Sequence, residues 1–584
     1  FCQQRRAMVR APACWLALAV AGVAVGVGSL AWGPRALHGY ASSQAAREAA
    51  LDADAHGGAG TFAYRAWVGG EAARRAGAPL AETWLKGYYF DVTNPLAVLR
   101  GAKPILAERG PYYFRWVKEQ RDVVWRRDPD GRRRVAFRTY ETFHLDANRS
   151  VVGASIHDNV TTVNVAALAL AALLRPLAAD LGPEAEGIVA AVVDELQAAF
   201  PGGVEQMLFV NRTVSDLTFG YDDPLITRLL DAVPALAAVL PLGPGIPGLA
   251  GHTNMTAPPS ETDPTSEVYA ALPGDGDAPA NYTQWKGYDH IECCASLPCA
   301  RDTQQPIWPT EEQNAIRGSD GTMFGAGVPA PGSELSTWVE ETNRTTILEN
   351  VGGLRVDVGG VAALRYTVKH SEFISASINP ANAKWYMYGP SGVLNVTRCS
   401  LGVPLFLSKP HFLDVHGAFN GTELGGGQEP LLSRVEGDVQ PNRDEHDTRL
   451  DVEPLSGATL HGAQRLQANL WLAPQVLATG DERNVTLFGN CSPALMPIMW
   501  IEKGGAATDT ALETLRSKLR TLSLARHVLL ALGLLGCGAG VGFVGGATTM
   551  WRARRRRGDE AAGVANGGSL EEALLLQPGG GSPA

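Results

Sequence analysis

The residues with the most chemical character in this chain are cysteines, asparagines and arginines. His290, Cys293, Cys294 and Cys299 fall within ten positions, a spacing that either a metal ion or disulfides would suit. With Cys399 and Cys491 the thiols of the central region number five. In an oxidising compartment two disulfides and one free thiol are expected among Cys293, Cys294, Cys299, Cys399 and Cys491, with the pairing open. Disulfides account for the cluster more simply than a metal does, so no metal site is expected. Ten N-x-S/T sequons offer glycan acceptors at Asn148, Asn159, Asn211, Asn254, Asn281, Asn343, Asn395, Asn420, Asn484 and Asn490. Catalytic patterns are missing: there is no G-x-S-x-G and no H-E-x-x-H, and Gly389-Pro390-Ser391-Gly392 fits no nucleophile elbow. The expectation is a non-enzymatic protein that needs no cofactor.

Two apolar stretches position these groups. Val528–Trp551 runs for 24 residues without an ionisable side chain other than Cys537, then meets Arg552, Arg554, Arg555, Arg556 and Arg557. As a helix it covers about 36 Å, enough for a bilayer core of about 30 Å, and the arginines mark the cytoplasmic side. Pro12–Trp32 is apolar for 21 residues behind Arg5, Arg6 and Arg10, too long for an ordinary signal peptide and better suited to an uncleaved anchor. Segments follow: a cytoplasmic tail 1–11, a span 12–32, a glycosylated lumenal or extracellular domain 33–527, a second span 528–551 and a cytoplasmic tail 552–584. All ten sequons fall between the spans. Gly536-x₃-Gly540, Gly538-x₃-Gly542 and Gly542-x₃-Gly546 face Gly22-x₃-Gly26 in the first span, which suits close packing of the spans or of two copies.

The chain has 584 residues, 19% charged, and a net charge of −10. Of 50 basic and 60 acidic residues, eight arginines and four acids lie in the tails. That leaves 42 against 56 outside, about −14, which argues against nucleic acid as a partner.

Between the spans, residues 44–82 are alanine-rich and expected to be helical. From Thr83 aromatic and β-branched runs take over, and VVW (123–125) and VAF (135–137) flank an Asp130-Gly131 turn. That hairpin carries Arg126, Arg127, Arg132, Arg133 and Arg134, as a solvated turn or a patch for anions. Helices follow: Val163–Leu174 stopped by Arg175-Pro176, then GIVAAVVDELQAAF, whose Ile188, Val192, Leu196 and Phe200 recur every four residues. Another apolar run covers Leu225–Leu240. Residues 241–340 read mostly as loops, and strand signals return from Gly353 to Lys503.

The chain also resembles a known family. FDVTNP (90–95), RGPYYFRW (109–116), NVTTVNVA (159–166), FVNRTVSDLTFGYDDPL (209–225), SDGTMF (319–324), GVLNVTRCSLGVPLFLSKPHFLDV (392–415), PNRDEHDTRLDVEPLSGATLHGAQRLQANL (441–470) and MPIMWIEK (496–503) stand in the order found in class B scavenger receptors. The resemblance implies an α+β membrane protein: an antiparallel β-barrel ectodomain (about 83–140 and 353–503) under a helical cap (about 160–240). A hydrophobic tunnel would pass fatty acids or sterols to the bilayer. Val163, Ala167, Leu170, Ile188, Val192, Leu196 and Phe200 are the expected ligand-facing residues of the cap. Lipid or lipoprotein ligands, the membrane, a lumenal hydrolase carried as cargo and a further copy of the chain are the expected partners; an adhesion or pattern-recognition receptor is an alternative. Two features depart from the family. Arg175 and Arg228 stand among Asp180, Glu184, Glu186, Asp194 and Glu195, which disfavours an anionic ligand on the cap. Trp385-Tyr386-Met387-Tyr388 also replaces the upstream cysteines that would pair with Cys399.

In the tail, Glu571, Leu575 and Leu576 fit an acidic dileucine signal for sorting adaptors. Both the plasma membrane and the endosome–lysosome system remain open as addresses, with both termini cytoplasmic.

Overall fold

The computed structural model describes residues 24, 27, 30, 35–37, 81–127, 129, 133–180, 183–236, 245–246, 266–269, 281–285, 290–291, 306–325, 327–400, 403–416, 434–478 and 484–571. The alanine-rich stretch 44–80, most of the first span, the Asp130-Gly131 turn, Asn254, Asn420, Cys293, Cys294, Cys299, Leu575 and Leu576 lie outside them. Two compact units divide the chain: Phe1–Ser43 with Leu515–Ala584, and Gln44–Thr514.

The larger unit is built on strands whose aromatic and β-branched residues suit a pleated, half-buried surface. β1 (Ala81–Val92), β2 (Ile105–Arg127) and β3 (Arg133–Leu145) form a meander. β4 (Asn159–Val163) and β5 (Phe209–Thr213) pair as a separate ribbon, as do the two-residue β6 (Tyr221–Asp222) and β7 (Gly245–Ile246). Next come β8 (Ser266–Tyr269), β9 (Asn281–Gln284), β10 (Glu334–Val339), β11 (Arg344–Glu349), β12 (Arg355–Val358) and β13 (Val361–Val368). β14 (Val393–Asn395), β15 (Leu405–Ser408), β16 (Glu436–Gly437), β17 (Arg449–Val452) and β18 (Thr459–Leu472) follow. β19 (Gln475–Ala478), β20 (Asn484–Leu487) and β21 (Ala494–Ala507) complete the set.

The main sheet runs β10-β11-β13-β17-β18-β21-β1-β2-β3-β8-β9, each neighbour antiparallel. Its ends are joined. Ser319 bridges Asn281 of β9 on one side and Thr337 of β10 on the other. The joining bonds run from Tyr282 N to Gly318 O (2.9 Å), from Ser319 N to Ser336 O (3.0 Å) and from Trp338 N to Ser319 O (2.9 Å). A sheet linked in this way leaves no bare edge between β9 and β10.

Helices α1 (Val165–Asp180), α2 (Pro183–Ala199) and α3 (Pro224–Ala232) share one core with the strands. Asp223 starts α3, accepting from Leu225 N and Ile226 N, while Pro224 supplies a preset φ at the first position. Helix α1 continues through Arg175-Pro176, which had been expected to end it. Burial of Ala166–Ala171 and Leu174 outweighs the one backbone bond that proline removes.

Two further features add to the sequence reading. Residues 241–340, expected to be mostly loops, contain β8, β9 and all of β10. These strands are four to six residues long, so their pairing partners rather than their own pattern hold them. In the tail, α4 (Asp509–Glu571) is one continuous helix that passes through the span and the arginines.

In the smaller unit α4 is long and apolar enough to cross a membrane. Its Leu534, Leu535 and Val541 are 65%, 70% and 69% exposed, an apolar surface that suits lipid. A Cβ placed on Gly533 would stand 2.7 Å from Leu30 Cγ, so this glycine admits a side chain of the first apolar stretch.

Candidate ligand cavity

Inside the larger unit lies a cavity of about 720 Å³. It touches residues of β1, β2, β10, β11, β13, β15, β17, β18 and β21, nine of the fifteen strands of the main sheet. Space arises where two neighbouring strands carry small residues at matching positions. Gly462 pairs with Gly505, and Ala463 with Gly504. The remaining wall is largely aliphatic and aromatic, with Leu348, Val368, Phe373, Leu407, Leu450 and Leu460. Its volume falls in the range of roughly 300–1,000 Å³ that small-molecule sites occupy.

Turn chemistry fixes the wall beside this opening. Gly457 has φ +76°, and a Cβ there would stand 2.1 Å from Phe324 O, so only glycine lets the β17–β18 turn lie against this segment. Met323 bridges to Ala458 across the same contact.

Several charges at the cavity are matched by acids. Lys409 Nζ lies 2.8 Å from Asp414 Oδ2 and 2.6 Å from Asp447 Oδ1, and Lys369 Nζ is 2.6 Å from Glu334 Oε1. Burial disfavours the charge on Lys503, but Glu341 and Glu340 outweigh it and hold the ammonium well above its usual range. Arg465 meets Glu502 at 2.9 and 2.7 Å. The Oε1 atom of Glu502 also accepts from Trp84 Nε1 (2.8 Å) and meets Lys86 Nζ (2.7 Å). Burial would raise this carboxyl, yet Lys86 and then Arg465 keep it below its ordinary value.

Three lining residues carry a buried polar atom with no hydrogen-bond partner in the structure: Trp116 Nε1, Trp338 Nε1 and Thr346 Oγ1. Such groups cost free energy until something accepts from them. A ligand with a long apolar body would suit this wall.

A second buried cluster lies among β2, β21 and the turns around His411. His411 and His446 stack at 4.0 Å, and Glu108 Oε2 is 2.6 Å from both His411 Nε2 and Trp500 Nε1. His446 Nδ1 accepts from Asn442 N at 2.9 Å. Burial, then the neighbouring His411, lowers His446 to about 4. The unfolded chain therefore takes up a proton near pH 6.5 that the folded chain refuses until about pH 4. Stability is expected to decline as pH falls through that window and to level off below it. In His446→Gln, which keeps an acceptor for Asn442 N, unfolding midpoints should lose part of this slope. An unchanged slope contradicts the assignment.

The residues expected on the cap lie inward. Val163, Ala167, Leu170, Val192 and Leu196 are at most 1% exposed and belong to the main core, with Ile188 and Phe200 packed at its edge. Their four-residue spacing marks the face that attaches the helices. Cys491, expected among the disulfide candidates, is a buried free thiol, and burial pushes it up to about 11. Ser391 Oγ accepts from Ser375 N at 2.9 Å. Among the described residues no cluster of three metal-ligating side chains occurs.

Sequons divide by exposure. Asn148, Asn159, Asn211 and Asn490 are exposed, whereas Asn343 is 6% exposed and lies at φ 49° next to the fully buried Arg344. A glycan cannot be accommodated at Asn343. Peptide mapping after enzymatic deglycosylation should mark Asn148, Asn159 and Asn211 and leave Asn343 unmarked; a marked Asn343 contradicts the packing around Trp308 and Trp385.

The larger unit thus holds a large antiparallel sheet with an apolar cavity, and the chain carries one helix long and apolar enough to cross a membrane. The chain belongs to the CD36 family, whose model matches residues 77–549. Scavenger receptor class B member 1 of Mus musculus is 26% identical over 77% of this chain and 76% of its own. Lysosome membrane protein 2 of Rattus norvegicus is 24% identical over 84% of this chain and 87% of its own, and that of Homo sapiens 24% over 87% and 89%.

Proposed function

We propose that this membrane protein binds a lipid in the cavity among β1, β18 and β21 and passes it towards the bilayer. The observation that carries the reading is an apolar cavity ringed by the strands of a sheet whose ends meet at Ser319, which favours a closed barrel. Each ligand methylene shielded from water gains about 0.8 kcal/mol, so a fatty acyl chain or sterol ester supplies most of the binding, and no covalent step is required. Inward packing of Val192 and Leu196 favours this cavity over the face of α1 and α2 as the lipid site.

Residues 33–527 stand outside the cytosol in this reading, held by spans 12–32 and 528–551, with α1–α3 as the cap. Relatives named as lysosome membrane proteins support a lysosomal address, with Glu571, Leu575 and Leu576 as its signal to adaptors. Uptake of a labelled fatty acid or sterol ester by cells expressing the chain tests the reading. A gain over untransfected cells is expected, and no gain at equal surface abundance overturns it. A lumenal hydrolase recovered in stoichiometric amount from the secretory pathway would instead favour a sorting receptor.

A further inference from the structure

One wall of the cavity is a strained loop. Ser408, Lys409, Leu413 and Asp414 line the space, and along this loop His411, Phe412 and Asp414 adopt φ values of 52°, 57° and 61°. Left-handed residues other than glycine, set this close together, cost free energy, so the surrounding contacts must hold the loop in place. Its ends are anchored. On one side it continues from β15, and on the other His416 N donates to Ser391 O at 3.1 Å.

Its middle is held by the turn Arg443–His446 and the residue after it. Lys409 Nζ reaches Asp447 Oδ1 at 2.6 Å, while Arg443 comes back to Asp414. Each segment thus supplies one cation and one acid to the other. In the same contact His411 stacks on His446 at 4.0 Å. The turn itself closes on a histidine nitrogen: Asn442 N donates to His446 Nδ1 at 2.9 Å, and His446 N donates to Asn442 O at 2.8 Å. A proton on Nδ1 converts that acceptor into a donor facing an N–H, and sets a cation against the His411 ring.

Besides burial, His411, Glu108 of β2 and Arg465 of β18 act on the charge of His446, and Trp500 of β21 stands edge-on at 5.6 Å. Arg443, Asp444, Glu445 and Asp447 belong to its own turn. Glu502 and Glu445 also act on Tyr88 of β1, which stacks on Trp500. Glu108 is already engaged by His411 Nε2 and Trp500 Nε1, so it offers the new cation little. Burial would raise Asp414, yet Lys409 and then Arg443 keep it below its ordinary value. The ion pairs of Asp414 therefore outlast mild acid, and the histidine turn is the part that yields.

We propose that residues 409–414 form an acid-released flap of the cavity: a proton on His446 opens the turn that latches it, and bound lipid leaves through the loosened wall. His446 acts as a positioning residue and does not itself line the cavity. Release of lipid rests on the cavity reading above; opening of the flap does not. Hydrogen exchange of the full chain in detergent tests the flap by itself. His446 stays neutral down to about pH 4 in the closed flap and titrates near its ordinary 6.5 in the open one, so opening should gain roughly fiftyfold between pH 7 and pH 4.5. Exchange at 409–416 and 442–447, corrected for its intrinsic pH dependence, should rise by that factor and stay flat in His446→Gln. Exchange at 466–472 of β18 should not change. Should the variant prove unstable, the wild type alone carries the test, because the gain must be confined to those two segments. Release of a preloaded fluorescent cholesteryl ester, a ligand that acid does not titrate, should quicken at pH 4.5 in the wild type and keep its pH 7 rate in His446→Gln. No gain in exchange, a gain spread over β18, or an equal gain in His446→Gln overturns the flap. An ester that never loads at pH 7 counts against lipid in the cavity, and the exchange result still decides the flap.

Discussion

Glu502→Ala is expected to lower the stability of the sheet domain by about 3–5 kcal/mol, read as the unfolding midpoint of the full chain in detergent. The carboxylate holds three donors from three strand positions: Trp84, Lys86 and Arg465. Arg465 is 7% exposed, so its guanidinium would remain buried beside Arg449 without its acid. The effect is the cost of an orphaned charge rather than the worth of the pair. Replacing both partners, as in Arg465→Met/Glu502→Leu, should therefore recover most of the loss. A double variant as unstable as the single one would contradict this account.

Gly462→Phe is expected to abolish most lipid handling while leaving the fold in place. Gly462 has an ordinary strand conformation. A Cβ there would meet only Thr459 Cγ2 at 3.5 Å and Leu450 Cγ at 3.8 Å, both ordinary contacts. Phenylalanine also suits a strand better than glycine does. Its ring would take the space of about four methylenes of ligand, roughly 3 kcal/mol, or about a hundredfold in affinity. Uptake should fall to near background with an unfolding midpoint close to that of the wild type. Full uptake by a folded variant would place the lipid path elsewhere. Gly504 would not serve for this test, because a Cβ there would stand 2.4 Å from the Trp84 ring.

The sequence showed the strands best where apolar alternation runs long, as in β1 and β18, and where FDVTNP and MPIMWIEK matched a family order. It showed β10 and β11 poorly, because Glu334–Val339 and Arg344–Glu349 are short and set among glycines, prolines and sequons. The cavity was hidden for a different reason. His461-Gly462-Ala463 and Gly504-Gly505-Ala506 look like weak strand ends when read singly, and only the β18–β21 register sets them opposite one another. A search for matched small residues in adjacent strands could have found it. The four-residue spacing of Ile188, Val192, Leu196 and Phe200 correctly marked an apolar face. Periodicity, however, reports burial without saying whether protein or ligand does the burying. Cys491 shows the same limit, since counting thiols cannot tell a core residue from half a bridge.

The central claim is that lipid occupies the cavity walled by β18 and β21. Photolabelling of the purified full chain with a diazirine-bearing fatty acid, followed by peptide mapping, tests it most directly. The account predicts adducts on peptides covering Ala458–Leu466 and Lys503–Thr508, displaced by unlabelled fatty acid and lost in Gly462→Phe. Specific adducts confined to α1 and α2, or cavity peptides left unlabelled while the protein still takes up lipid, would contradict it.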